Sequence, residues 1–284
     1  MIQLSERHEM RQQARHWRAR GERIGLVPTM GNLHQGHLKL VEELSNHVDR
    51  LVVSVFVNPL QFGPSEDYES YPRTLADDLR ALAGYPVDAV FAPSAEQMYP
   101  RGAPATTIDL PALTNTLCGA DRPGHFAGVA LVVAKLFNIV EPDAAAFGNK
   151  DYQQLQVIRR LVQDLDYPVE ILGVATVREA DGLALSSRNN YLDAEQRRVA
   201  AELYATLQEM VAELRAGRRD YQQLEAAGAT RLRQAGFSRV DYLAIRRSDD
   251  LAAPSPADTE LVCLGAAQVG AARLIDNIAV RLID

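Results

Sequence analysis

Apolar positions recur along this chain with two periods, and the two alternate. Residues 5–20 have the spacing of an amphipathic helix, with Ser5 as its expected N-cap. Ile24 to Val27 form a short apolar strand that Pro28 is expected to end. From Gln35 to Val48 the apolar residues Leu38, Leu40, Val41 and Leu44 return to helical spacing. LVVSVFVN, residues 51–58, is β-branched and nearly continuous, as a strand buried on both faces requires. The same reading gives a helix over 73–83, a strand over 88–92 and, after a Pro-rich connection, an apolar helix over 125–140. A strand over 143–147, a helix over 151–166 and a strand over 169–174 follow.

This alternation predicts an α/β fold: a Rossmann-like parallel sheet with helices on both faces and right-handed crossovers. In such sheets ligands bind beyond the carboxyl ends of the strands. The remainder has another texture. Two helices rich in Ala, Glu and Arg, 193–216 and 220–235, precede three strands over 240–246, 260–269 and 272–280. They predict a smaller C-terminal α+β domain. The boundary falls near residue 176, giving a Rossmann-like domain over 1–175 and the α+β domain over 176–284.

Composition narrows the function. The 284 residues are 47% apolar and 24% charged, with a net charge of −7. That balance argues against an extended nucleic-acid surface but leaves room for a small anion held by local cations. Cys118 and Cys263 form no motif, so neither a disulfide framework nor a thiolate metal site is expected. The N-terminus, MIQLSERHEMRQQARHW, lacks the apolar core of a signal peptide. No apolar run reaches the roughly 20 residues that span a bilayer. A soluble cytoplasmic protein is the expectation.

The chemistry concentrates where the first of these strands turns into a helix, in MGNLHQGH, residues 30–37. A helix N-terminus offers unpaired N–H groups and partial positive charge, and so attracts anions. The spacing of His34 and His37 puts both imidazoles on one side of the first turn, where each can donate to phosphate oxygens. Such donors stabilise charge that accumulates at an α-phosphate during displacement. Gly36 removes a side chain where a ligand would approach the backbone. Simple capping and zinc ligation are the alternatives, and the second lacks further paired histidines. A second cluster, DGLALSSRNN at 181–190, supplies Ser186, Ser187 and Arg188 for a triphosphate, or is an ordinary solvated loop.

H-x-G-H after a first strand with a distant Ser-Ser-Arg loop resembles the HIGH and KMSKS signatures of the nucleotidyltransferase superfamily. Four longer stretches narrow the match: VPTMGNLHQGHLKLV, VSVFVNPLQFGPSEDYESYPRTLADD, RPGHFAGVALVVAKLFNIVEPDAAAFGNKDYQQLQVI and READGLALSSRNNYL. In that order, over at least residues 26–192, they resemble the pantoate–β-alanine ligase family. The resemblance implies that ATP and (R)-pantoate give pantoyl adenylate and pyrophosphate, and that the amine of β-alanine then displaces AMP. It implies ATP contacts from Met30, Gly31, Asn32, Leu33, His34, Gln35, Gly36 and His37, with His37 as proton donor. It also implies ATP contacts from Gly148, Asn149, Lys150, Asp151, Val177, Leu185, Ser186, Ser187 and Arg188, with Lys150 as the cation for the α-phosphate. Gln61 and Gln154 are implied as pantoate ligands, Gln61 also lying near β-alanine, with Asn58 beside them. Mg²⁺ is expected with the triphosphate and a homodimer as the assembly. Asp77 and Asp78 are either metal ligands or the solvated face of the helix over 73–83, and neither is assigned to the site. Asn149, Ala127, Leu131 and Leu185 depart from the family pattern, yet every named catalytic group is in place. A nucleotidyltransferase acting on another small acid, or a nucleotide-binding module without turnover, are the competing readings.

Overall fold

The computed structural model describes residues 1–64 and 66–282. The chain forms two compact units, one of Met1–Gly148 with Gln154–Ala175 and one of Asn149–Gln153 with Thr176–Asp284. The short stretch 149–153 therefore groups with the C-terminal unit, where the sequence placed it with the N-terminal one. The reason is local. Asn277 donates to the Asn149 and Lys150 carbonyls, and the Tyr152 hydroxyl donates to the Ser248 carbonyl at 2.8 Å.

The first unit is built on six parallel strands, β1 (Ile2–Leu4), β2 (Ile24–Thr29), β3 (Arg50–Val55), β4 (Ala89–Phe91), β5 (Ala144–Gly148) and β6 (Glu170–Val174), in the order β1-β4-β3-β2-β5-β6. Its longer helices are α1 (Arg7–Arg18), α2 (Gln35–Ser45) and α3 (Leu75–Leu82). Three single turns follow, α4 (Ala95–Met98), α5 (Pro111–Thr114) and α6 (Cys118–Asp121), then α7 (His125–Val140) and α8 (Tyr152–Asp164). Leu38, Leu40, Val41 and Leu44 of α2 pack on Val27, Leu51, Val53 and Ala146, so the helical spacing in the sequence is the face that meets the sheet. The chain lays β3 and β4 to one side of β2 and β5 and β6 to the other. The turn after β2 thus sits at the topological switch point, where open α/β sheets bind ligands.

Three sequence expectations need correction, the first being the grouping of 149–153. Ser5 is not the N-cap of α1; Glu6 holds that position, with no side-chain cap bond. The preceding Ile2–Leu4 is a strand, paired with Ala89–Phe91, and this pulls the helix start inward. Pro28 does not end β2, which continues to Thr29. The Thr29 carbonyl accepts the Phe56 N–H, so by alternation Pro28 faces the β5 side, where pairing stops at Leu26 and no N–H is needed.

The second unit packs α9 (Ala194–Arg215) and α10 (Tyr221–Ala235) on an antiparallel sheet β7-β8-β9 (Arg239–Arg247, Glu260–Val269, Ala272–Arg281). Leu203, Leu207, Met210, Leu232, Ile245, Leu261 and Val280 form its core. Asp193 caps α9 through the Glu195 and Gln196 N–H groups, and Gln196 returns a bond to the Asp193 N–H. No helix of the described residues is long and apolar enough to cross a membrane.

Candidate active site

The turn after β2 is held in an uncommon shape. Gly31 and Asn32 both adopt positive φ, 80° and 52°. A Cβ at Gly31 would lie 2.9 Å from the Asp78 carboxylate and 3.0 Å from Val55, so the position is open to glycine alone. The turn presents two successive backbone N–H groups, of Asn32 and Leu33, to a single anion. Asp78 supplies it: its carboxylate accepts the Asn32 N–H at 3.1 Å and the Leu33 N–H at 2.8 Å. Asp78 is 2% exposed. The solvated-face reading is therefore corrected for Asp78, while Asp77 is exposed and pairs with Arg80. Leu75, Asp78, Leu79 and Leu82 fall at helical spacing, which is the available sign that Asp78 faces inward.

His34 and His37 cap α2 reciprocally. His34 Nδ1 accepts the Gly36 N–H at 3.1 Å, and His37 Nδ1 accepts the His34 N–H at 3.3 Å. A ring nitrogen that accepts carries no proton, so each neutral imidazole bears its hydrogen on Nε2. The ring centroids are 4.1 Å apart and inclined at 36°, which brings two Nε2 donors to one helix N-terminus. Gly36 has a task within the fold as well. A Cβ there would meet His34 Cε1 at 2.8 Å, so the missing side chain makes room for the histidine itself.

Next to this turn, Asn58 is buried and fully engaged. Its Nδ2 donates to Gln61 Oε1 and to the Gly128 carbonyl, both at 3.1 Å. Its Oδ1 accepts the Tyr99 hydroxyl at 2.8 Å and the Leu60 N–H at 3.3 Å. Burial drives the Tyr99 phenol up, so it stays a donor. Asn58 thus commits all its hydrogen-bonding capacity to protein and acts by orienting Gln61, whose Nε2 donates to Met30 Sδ at 3.1 Å. The Gln61 carbonyl is anchored in turn by His125 Nδ1 at 2.7 Å, and His125 Nε2 lies 3.0 Å from an Arg122 nitrogen. Arg122 is bidentate to Glu66 at 2.6 and 2.7 Å.

Burial is the largest single influence on Glu66 and raises it, but the Arg122 guanidinium, the Gly63 backbone and His125 together outweigh it and the net shift is downward from 4.5. A carboxylate depressed in the folded state stabilises the fold above its unfolded value, and that contribution disappears as pH falls through the lower folded value. Thermal melts from about pH 7 down to about pH 3, across the ordinary carboxylate range, should show Glu66→Gln losing part of the acid sensitivity of the parent. Identical acid limbs would refute the pairing.

Gly128 lets α7 lie against this segment, since a Cβ would come within 2.3 Å of the Leu60 carbonyl oxygen and 2.9 Å of the Gln61 nitrogen. Gly128→Ala should therefore cost about 2 kcal/mol, by displacing backbone rather than a flexible side chain. Its melting temperature is the measurement; a variant as stable as the parent would show that the Leu60–Gln61 backbone yields at no cost.

In the second unit, Asn149–Asp151 form a 3-10 turn in which the Lys150 ammonium lies 3.8 Å from Asp151. Gln154, on the first turn of α8, belongs to the first unit and is half-buried. Val177 and Leu185 face each other across a hairpin, the Leu185 N–H donating to the Val177 carbonyl at 2.9 Å. Ser186 Oγ then accepts the Arg188 N–H at 3.3 Å and caps the turn Ser187–Tyr191. The structure therefore collects Met30 to His37, Asn58 and Gln61 beyond the carboxyl ends of β2 and β3, the central strands of the parallel sheet. It places Asn149 to Asp151, Val177 and Leu185 to Arg188 in the second unit. Among the described residues no group of three His, Cys, Asp or Glu is placed to hold a metal ion.

Comparison with known proteins bears on this arrangement. The family model described as Pantoate-beta-alanine ligase matches residues 3–279. The chain is 69% identical over 283 residues to the pantothenate synthetase of Halorhodospira halophila, covering 99% of each chain. The crystal structure of pantothenate synthetase from Thermus thermophilus superposes with a TM-score of 0.90 at 47% identity, covering 98% of this chain and 99% of that one. The pantoate-beta-alanine ligase of Francisella tularensis, solved with a β,γ-ATP compound and β-alanine, matches with a TM-score of 0.81 at 32% identity, covering 98% and 97%.

Proposed function

This chain belongs to the pantoate–β-alanine ligase family, and from that premise we infer that it condenses (R)-pantoate with β-alanine, driven by ATP cleavage to AMP and pyrophosphate. A carboxylate is a poor electrophile until one of its oxygens becomes part of a good leaving group. The pantoate carboxylate attacks the α-phosphorus of ATP and pyrophosphate leaves. The β-alanine amine then attacks the acyl carbon of pantoyl adenylate, the C–O bond to AMP breaks, and the amine loses a proton.

The observation that carries the assignment of groups is the reciprocal histidine cap. Fixing both Nδ1 atoms as acceptors fixes both Nε2 atoms as donors, at a helix N-terminus that already favours anions. We assign His34 and His37 to the phosphates, with the backbone of Met30 to Gly36 lining the nucleotide. His37 gives its proton as charge develops. Gln61 and Gln154 take the hydroxyls and carboxylate of pantoate, since an amide both donates and accepts. Asn58 serves through Gln61. Lys150 and Arg188 supply the phosphate-binding cations, with Ser186 and Ser187 as hydroxyl donors. Gly148, Asn149, Asp151, Val177 and Leu185 border the nucleotide.

Mg²⁺ fits as a partner of the triphosphate, held by its oxygens and water. Asp78, the buried carboxylate nearest the turn, is committed to backbone N–H groups. The protein acts in the cytoplasm as a homodimer in this reading, and sedimentation at micromolar concentration tests the second point. The chemistry itself is tested with pantoate labelled with ¹⁸O in its carboxylate. The adenylate route transfers one labelled oxygen to AMP. Label in free phosphate would mean an acyl phosphate and overturn the reading.

A further inference from the structure

The strand sequence LIDNIAV in β9, residues 274–280, contains a polar pair, Asp276 and Asn277, in an otherwise apolar stretch. Both are buried, at 4% and 7% exposure. Burying two polar side chains is unfavourable unless each finds partners, and here both do. Asn277 Nδ2 donates to the Asn149 carbonyl at 2.8 Å and the Lys150 carbonyl at 2.9 Å, which uses both of its hydrogens. Asp276 is bidentate to Arg178, at 2.6 and 2.9 Å, and its Oδ1 also accepts the Asn277 N–H at 2.7 Å. Arg178 extends the connection. It donates to the Gly182 carbonyl at 3.1 Å and lies 3.7 Å over the Tyr204 ring. Two adjacent positions on β9 thus tie together the turn that carries Lys150 and the hairpin that leads into Ser186, Ser187 and Arg188.

We propose that Asn277, backed by Asp276 and Arg178, is a positioning residue for ATP: it fixes the backbone from which Lys150 reaches the phosphates. The proposal rests on the assignment of Lys150 as a phosphate ligand. A lysine side chain is long and flexible, and its ammonium is placed only as well as its own backbone. The Asn149–Asp151 turn is a single 3-10 turn, and Asn277 holds two of its three carbonyls. Without those donors the turn loses its anchor to β9. Lys150 then bears an ordering cost each time ATP binds.

The test measures MgATP binding by calorimetry on the full chain without pantoate, and KM for each substrate, in four variants. These are Asn277→Ala, the isosteric Asn277→Asp, Lys150→Ala and the Asn277→Ala/Lys150→Ala double. Asn277→Ala should weaken ATP binding by about tenfold, as expected for two lost hydrogen bonds, with KM for pantoate changed by less than about twofold. Asn277→Asp should weaken it further, because a carboxylate would face two carbonyl oxygens. If Asn277→Ala does not fold, a fifth variant, Asn277→Ser, carries the comparison, since it loses at least one of the two donor hydrogens without adding a buried charge. In the Lys150→Ala background the Asn277 change should cost little more, because both act through one contact. ATP binding unchanged in Asn277→Ala, with Lys150→Ala impaired, would overturn the inference alone. Equal rises in KM for ATP and pantoate would also overturn it, by showing a general structural role. Normal ATP binding in Lys150→Ala would remove the assignment of Lys150, and the inference with it.

Discussion

Replacing His37 with alanine should lower kcat by about 10²-fold or more while the protein remains folded, the loss expected when a preorganised donor to developing charge is removed. The fold should hold because the substitution removes one cap acceptor, a loss of about 1 kcal/mol. The two ring nitrogens have separable duties. Nδ1 accepts the His34 N–H at 3.3 Å, and Nε2 bears the proton. His37→Asn places an acceptor near Nδ1 and no donor at Nε2, so it should restore the melting temperature and not the rate. His37→Gln reaches the Nε2 position and should recover part of the rate. Steady-state kinetics with melting curves on the three variants separate these roles. Turnover unchanged in His37→Ala would remove the histidine from the reaction.

The second large effect is expected at Asp78, a residue that need not touch substrate. Asp78→Ala leaves the Asn32 and Leu33 N–H groups without their carboxylate in a half-buried turn. Hydrogen bonds to a charged group contribute about 1.5–3 kcal/mol each, and an orphaned buried donor keeps its desolvation penalty. We expect a loss of about 3 kcal/mol, or roughly 6–12 °C in Tm for a domain of this size. Because the same turn leads directly into His34, kcat/KM for ATP should fall by about 10²-fold, as for a displaced catalytic group. Asp78→Asn retains one acceptor oxygen and should show an intermediate loss in both. Thermal unfolding together with ATP kinetics checks this. A stable variant with normal kinetics would mean that the turn holds its shape without the carboxylate.

The sequence is most legible where a signal is local. Helix α7 is read to its ends, 125–140, because Gly124 and Glu141 both take left-handed conformations around a nearly unbroken apolar run, and Pro142 follows. The alternation that predicts the parallel sheet is local in the same way, and so is the histidine pair within one helical turn. Strand β1 escapes because Ile2–Leu4 is too short to show a period; its partner β4 defines it.

The supports of the site escape for another reason. Asp78 reaches Asn32 across 46 positions, and Asn277 reaches Lys150 across 127. No short motif joins such pairs. What the sequence does carry is the anomaly each leaves behind: an aspartate on the apolar face of α3, and a polar pair within a buried strand. Gly36 shows the converse. Its position in H-x-G-H suggests room for a ligand, and the backbone shows room for the neighbouring ring as well.

The most direct test is AMP formation from ATP in the presence of Mg²⁺, (R)-pantoate and β-alanine, with each component omitted in turn. The account predicts sustained AMP release only when both pantoate and β-alanine are present. With pantoate alone, pyrophosphate should appear up to about one equivalent per active site, because the adenylate has no amine to react with. ATP turnover that is indifferent to pantoate, or absent with all components although ATP binds, would contradict it.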